Sequence, residues 1–197
     1  MARVRLLRSL ILLVSIGVVL AGCGGDASDG DGAEGRPPGG AESLPGPVPA
    51  DVSFSEGGAS SPRAPDFSLN LMDGTPIAGP RLWRERPVVL FFFASWCGIC
   101  GEQQSDLTGL SEEYRDRVLF LGIAGEDTQG PVAAYLDQHR VPYPVAIDPD
   151  LGVWRSFGVR EPPHVVIISK GGRVIRGWPG GASRDLIVET LETMIAS

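Results

Sequence analysis

The chain has 197 residues, 43% of them hydrophobic and 21% charged, with a formal net charge of −7. That is enough apolar material for one folded domain of ordinary size plus extensions. The acidic balance argues against nucleic acid or any other polyanion as a partner and for plain solubility. Cys23, Cys97 and Cys100 make an odd set of three, so one of them must have a fate other than an internal disulfide.

In chain order, residues 1–22 carry Arg3, Arg5 and Arg8 and no acid, followed by the 11-residue apolar run LILLVSIGVVL from Leu10 to Leu20. A membrane-spanning helix needs about 20 apolar residues, so a charged leader and a short apolar core predict a signal peptide. Its removal takes the net charge from −7 to −10. The run ends in Leu20-Ala21-Gly22-Cys23, which resembles the bacterial lipobox. That resemblance implies that Cys23 becomes the first mature residue and carries a lipid, placing the rest of the chain on the outer face of the cytoplasmic membrane. Outside that membrane a dithiol is not held reduced by the cytosolic thiol pool. With Cys23 given to lipid, Cys97 and Cys100 remain as a closed pair.

From Gly24 to Arg63, Gly, Pro and Ser fill 22 of 40 positions and no apolar period is present. Such a composition buries too little surface to offset its ordering entropy. Residues 23–63 are therefore expected to form a disordered tether below a single domain spanning 64–197.

Within that domain, DFSLNLMDGTPIAG predicts two short strands around Asp73-Gly74. PVVLFFFAS is a continuous apolar run suited to a strand buried on both faces. A helix is expected from the cysteines to about Arg115, a second buried strand at 118–125, and a helix at 131–140 with Pro131 in its first turn. YPVAID predicts a strand, DPDLGVWRSF a short helix, and HVVIIS and RVIRGW two further strands joined through Gly171-Gly172. SRDLIVETLETMIAS closes the chain as an amphipathic helix with Ser183 as N-cap and Asp185 in its first turn. Strands alternating with helices, then a hairpin, imply an α/β fold with a mostly parallel sheet and an antiparallel edge.

A C-x-x-C that ends a buried strand and opens a helix puts its first thiol at the helix N-terminus, where unpaired amides and the dipole stabilise a thiolate. Cys97 is accordingly expected to attack, and Cys100, one turn deeper, to resolve the mixed disulfide. Structural zinc would need four ligands. The chain offers only Cys97, Cys100, His139 and His164, with no second cysteine pair. A purely structural disulfide closing so short a loop would constrain the unfolded chain little.

APDFSL…DG, VVLFFFASWCGIC, LGIAGED, YPVAIDPD and FGVREPPHVVIIS, over about Ala64 to Ser197, resemble the thioredoxin-like, membrane-tethered thiol–disulfide oxidoreductases of the TlpA/ResA/CcmG group. The resemblance implies a thioredoxin fold with extra N-terminal strands and no cofactor. It also implies redox exchange with cysteines of exported proteins, often apocytochromes, and a membrane electron donor or acceptor for the pair. Pro163, in EPPH, aligns with that fold's cis-proline, expected to expose backbone for a substrate strand. Trp96 beside the pair reads as a flat wall for substrate or as core. A peroxiredoxin is disfavoured, because its P-x-x-x-[ST]-x-x-C motif needs Pro and Ser or Thr where Leu90 and Ala94 stand.

Two positions depart from the group. Phe91 stands where thioredoxins bury an aspartate, and Gln103 where the tethered group often has a glutamate. Neighbouring Glu102 lies about 160° around the helix from Cys100 and does not substitute. His164 is the candidate replacement, as a proton relay or thiolate stabiliser, whereas His139 reads as solvated. Two rival functions stay open on the residues alone. One is a Sco-like copper carrier using Cys97, Cys100 and His164; the other is a non-catalytic binding module with a structural disulfide.

Overall fold

A computed structural model describes residues 37–196 of the protein. The signal segment 1–22, the lipidation candidate Cys23 and the first part of the expected tether lie outside the described residues. The described chain runs β1 (Ser53–Phe54), β2 (Ser68–Leu71), β3 (Pro76–Ala78), α1 (Gly79–Leu82), β4 (Val88–Phe93), α2 (Gly98–Glu113), β5 (Leu119–Gly125), α3 (Gln129–His139), β6 (Val145–Asp148), α4 (Gly152–Ser156), β7 (His164–Ile168), β8 (Val174–Pro179), α5 (Arg184–Glu192) and β9 (Ile195–Ala196).

Seven strands form one mixed sheet in the order β3-β2-β6-β5-β4-β7-β8. Its central strands β6, β5 and β4 pair in parallel, while β7–β8 on one side and β2–β3 on the other attach antiparallel. The fold is thus the expected thioredoxin-like sheet, but it is mixed and not mostly parallel: two of its six pairings are parallel, because the N-terminal hairpin β2–β3 adds a second antiparallel edge.

The sheet separates two apolar layers, and β4 feeds both. All six of its residues are buried. Val89, Phe91 and Phe93 face a layer that holds Cys100, Leu107, Tyr135, Leu136, Ile187 and Leu191 from α2, α3 and α5. Val88, Leu90 and Phe92 face Phe67, Trp83, Val153 and Trp154 on the side of α1 and α4. Gly125 at the end of β5 permits the Trp154 indole to lie flat on the sheet, since a Cβ there would stand 2.4 Å from the ring. The indole N–H donates to the Ile123 carbonyl at 3.2 Å.

The N-terminal segment differs from expectation. Residues 37–63 are not a free tether, because they lie along the domain and are held by it. The Val145 amide donates to the Gly39 carbonyl, and the Ala41 amide donates to Asp73 Oδ2, each at 2.9 Å. Arg86 donates to the Gly46 carbonyl. β1 pairs antiparallel with β9, so the chain turns into a strand after α5 rather than ending as helix. Ser169 Oγ donates to the Glu56 carbonyl at 2.8 Å, and Arg173 donates to the Ser61 carbonyl at 2.7 Å. On the strap's side these bonds are made by backbone groups, which composition does not announce. Ser183 does occupy the N-cap of α5, but its side chain makes no capping bond there.

Ser169 is fully buried, and its hydroxyl also accepts from the Arg173 amide at 3.3 Å. Ser169→Ala is expected to lower stability by about 1–2 kcal/mol, a fall in Tm of roughly 3–6 °C. Limited proteolysis of the same variant should cut first within residues 37–58. A Tm equal to the parent's would show that the strap is not held there.

Candidate active site

β4 leaves the core as Phe93 and Ala94, both buried, and the chain turns through Ser95 and Trp96 into α2. The turn is tied to the loop after β5: the Ser95 amide donates to Asp127 Oδ2 at 2.6 Å, and Trp96 Nε1 donates to the Glu126 carbonyl at 3.1 Å. Cys97 is the N-cap of α2, in extended conformation, and its Sγ accepts from the Cys100 amide at 3.2 Å. A sulfur in the N-cap position receives the hydrogen bond that Ser or Asp would accept elsewhere. Negative charge on that sulfur is therefore stabilised both by this bond and by the helix dipole.

Cys97 and Cys100 form a disulfide with Cα atoms 5.2 Å apart. Cys97 retains 8% exposure and Cys100 none, which leaves Cys97 as the sulfur an incoming group meets. Trp96 and Ile99 beside it are 60% and 61% exposed. Trp96 is thus not core, and the pair is bracketed by two exposed apolar side chains suited to contact with another chain.

The Pro162–Pro163 peptide is cis. The antiparallel register that sets Phe92 opposite His164 brings this proline to the same sheet end as the cysteines. The Pro163 carbonyl accepts from the Gly180 amide at 2.8 Å, so it serves the β8–α5 loop. Gln103 Oε1 accepts from the Ala182 amide at 2.8 Å, and a Cβ at Gly181 (φ +93) would stand 2.5 Å from that oxygen. At the position where the resemblance led to the expectation of a glutamate, this chain has an uncharged acceptor that ties α2 to the loop beside Pro163.

His164 does not join the dithiol. It pairs across strands with Phe92, and residues pairing this way share a face. Phe92, Val166 and Ile168 belong to the α1/α4 layer, while Cys97, Cys100, Phe91 and Val165 belong to the other. The imidazole meets the Phe92 ring edge-on at 6.2 Å on that opposite face. Burial holds its pKa below the ordinary histidine range. The proton-relay expectation and the Cys97–Cys100–His164 copper set therefore both fail on strand alternation. Among the described residues no group of three His, Cys, Asp or Glu side chains is placed to hold a metal.

The histidine on the dithiol's side of the sheet is His139. Its ring lies 4.4 Å from that of Tyr135, and its Cε1 would stand 3.2 Å from a Cβ at Gly101. Together with Trp96, Cys97, Gly101, Glu102 and Tyr135 it lines a groove of about 610 Å³ between α2 and α3. The reading of His139 as solvated missed this, because the absence of a side chain at Gly101 lets the ring approach. A hollow of about 660 Å³ along β2 and β6, lined in part by Asp66, Leu69, Asp148 and Asp150, holds neither cysteine.

Behind Cys100 the sequence reading also missed a polar cluster. Tyr135 Oη donates to the Cys100 carbonyl at 3.0 Å and stands 3.4 Å from Gln104 Oε1. Tyr143 Oη donates to the same Gln104 oxygen at 2.9 Å, and Gln104 Nε2 donates to Thr108 at 3.1 Å. Burial raises the pKa of both phenols, which keeps them neutral donors. Phe91, in the place of the thioredoxin aspartate, instead stacks on Phe93 with centroids 5.4 Å apart.

A helix-capping cysteine, its sealed partner and a cis-proline at the same sheet end define a redox protein of the thioredoxin-like class. Residues 61–176 match the AhpC/TSA family. The chain is 24% identical over 144 residues to the thiol-disulfide oxidoreductase ResA of Halalkalibacterium halodurans, covering 73% of this chain and 80% of that protein. Among solved structures it is similar to MTB dsbF in its mixed oxidized and reduced forms, with TM-score 0.62, 26% identity, and coverage of 68% of this chain and 98% of that one. It is also similar to the pneumococcal exposed lipoprotein thioredoxin Etrx1 of Streptococcus pneumoniae strain TIGR4, with TM-score 0.58, 26% identity, and coverage of 66% and 99%. The chain belongs to the AhpC/TSA family, and its enzymatic class is thiol–disulfide oxidoreductase. Leu90 and Ala94, both fully buried, leave no proline ring or hydroxyl where the peroxiredoxin motif requires them.

The placement of His164 has a measurable consequence. Because its folded-state pKa is depressed, the unfolded chain takes up the proton first, and stability falls as pH drops below about 6.5. His164→Phe should remove that component, so the Tm difference between parent and variant changes between pH 7.5 and 5.5. The rate of Cys97 alkylation in the reduced protein should keep the parent's pH profile throughout. A shifted alkylation profile would return His164 to the dithiol.

Proposed function

We propose that this chain carries out thiol–disulfide exchange outside the cytoplasmic membrane, on cysteines of exported proteins, apocytochromes among them, while tethered by lipid on Cys23. The observation that carries the exchange is the division within one disulfide: Cys97 reachable at the start of α2, Cys100 sealed beneath it. In the reducing direction the Cys97 thiolate attacks one sulfur of a substrate disulfide, forming a mixed disulfide and expelling the other substrate sulfur as a thiolate. The Cys100 thiolate then attacks Cys97 Sγ, restoring the Cys97–Cys100 disulfide and releasing the second substrate thiolate. Two electrons pass from the pair to the substrate, and a dithiol donor at the membrane returns them. The same steps reversed oxidise a substrate dithiol and need a membrane acceptor instead.

The location rests on the arginine leader, the short apolar run and Leu20-Ala21-Gly22-Cys23, and is supported by the likeness to an exposed lipoprotein thioredoxin. Among the described residues no helix is long and apolar enough to cross a membrane.

Cys97→Ser is expected to lower exchange on a model disulfide by at least about a hundredfold. Cys100→Ser should instead accumulate a mixed disulfide with substrate, seen as a mass adduct on Cys97. Turnover by Cys97→Ser equal to the parent's would sink the exchange reading. Radiolabelled lipid should enter the parent and not Cys23→Ala; equal labelling of both would remove the tether.

A further inference from the structure

We propose that Tyr135 is a positioning residue for the dithiol, setting the strength with which the first turn of α2 stabilises the Cys97 thiolate. The proposal rests on the exchange reading of the same pair.

Tyr135 touches both sides of the chemistry. Its ring packs against Phe93 at 4.9 Å and against His139 at 4.4 Å, leaving the side chain 5% exposed at the wall of the groove that Cys97 also lines. Its hydroxyl donates to the Cys100 carbonyl at 3.0 Å. A carbonyl oxygen has two lone pairs, so this bond adds to the helical bond instead of replacing it. The Cys100 carbonyl and the Gly101 N–H belong to one peptide unit, and that N–H points back at the Cys97 carbonyl, 3.4 Å away. Donation to the oxygen of a peptide draws electron density from its nitrogen and strengthens its N–H as a donor, an effect of about 10–30% per bond in a dry setting. Tyr135 thereby increases the positive end of the dipole facing Cys97. The same hydroxyl bond ties the first turn of α2 to α3, in the turn where the Cys100 amide donates to Cys97 Sγ at 3.2 Å.

Gln104 is the hydroxyl's other neighbour. Its Oε1 is already bonded to Tyr143 at 2.9 Å and lies 3.4 Å from Tyr135 Oη, the longer of that hydroxyl's two contacts. A phenol has a single proton, and the shorter contact places that of Tyr135 on the Cys100 carbonyl whether or not Tyr143 occupies the amide oxygen. This arrangement supplies, through the backbone, a neutral influence on the pair in a chain that lacks the buried carboxylate at Phe91.

The test compares two hydroxyl deletions in the reduced full-length protein. Tyr135→Phe removes the bond to Cys100. Tyr143→Phe removes an equally buried hydroxyl from Gln104 and leaves Cys100 untouched. Iodoacetamide alkylation of Cys97 across pH 5–9 should show the half-maximal rate moved to higher pH in Tyr135→Phe, with the rate at pH 7 down about two- to threefold. The Tyr143→Phe profile should superimpose on the parent's despite a similar loss in Tm. The amide proton of Gly101 should move upfield in Tyr135→Phe only. Profiles that superimpose for all three proteins, or that shift equally in both variants, overturn the proposal. Alkylation needs no disulfide substrate, so a protein inactive in exchange that still shows the Tyr135-specific shift would sink the proposed function and leave this assignment standing.

Discussion

Burial of β4 on both faces is the constraint from which the site follows. Six consecutive apolar residues with no exposed face commit the strand to the centre of the sheet, between β5 and β7. A central strand leaves the sheet only at its end, and here the end is Ala94-Ser95-Trp96-Cys97. The next polar demand is the set of unpaired amides at the start of α2, which the Cys97 sulfur meets by accepting from Cys100. Strand burial, helix capping and thiolate stabilisation are thus one chain of cause, and the chemistry costs the fold no separate device.

Around that start, the chain replaces charge with neutral hydrogen bonds. Phe91 fills the aspartate place with a ring stacked on Phe93, and Gln103 fills the glutamate place with an amide bonded to Ala182. Gln104, 1% exposed, is bonded by Tyr143 at its oxygen and to Thr108 at its nitrogen. A carboxylate in the same positions would need a proton or a counter-charge once buried. The amides need neither, and they join α2 to α3 and to the β8–α5 loop. Among the described residues, the titratable side chains that line the groove beside the pair are Glu102, Tyr135, His139 and Cys97 itself.

The strap of residues 37–63 shows the same economy on the far side of the domain. Its contributions are carbonyls and amides taken up by Val145, Arg86, Ser169, Arg173 and Val174. Pro and Gly suit such a segment because it follows the surface without a regular pattern of its own. Its bonds run from Val145 on the interior strand β6 to the β7–β8 turn, which ties the N-terminal extension to the same body that presents Cys97.

The amino-acid sequence by itself determined the order and kind of nearly every main element, because periods of two and of about 3.6 residues, glycine turns and the C-x-x-C position are local signals. It also determined which two cysteines pair and which of them caps the helix. Tertiary structure alone decided what surrounds them. His164 follows the cis-proline in sequence, yet the β4–β7 register turns its ring to the opposite layer; His139 is 38 residues from Gly101 and arrives beside it, in the groove that Cys97 lines, because Gly101 leaves room. Tyr135, Tyr143 and Gln104 carry no pattern that links them, since hydrogen bonds between residues 31 to 39 positions apart leave no period in a sequence. The strap was illegible for the same reason: its attachment is made by backbone groups, which every residue possesses, and only the packed domain selects the ones that bond.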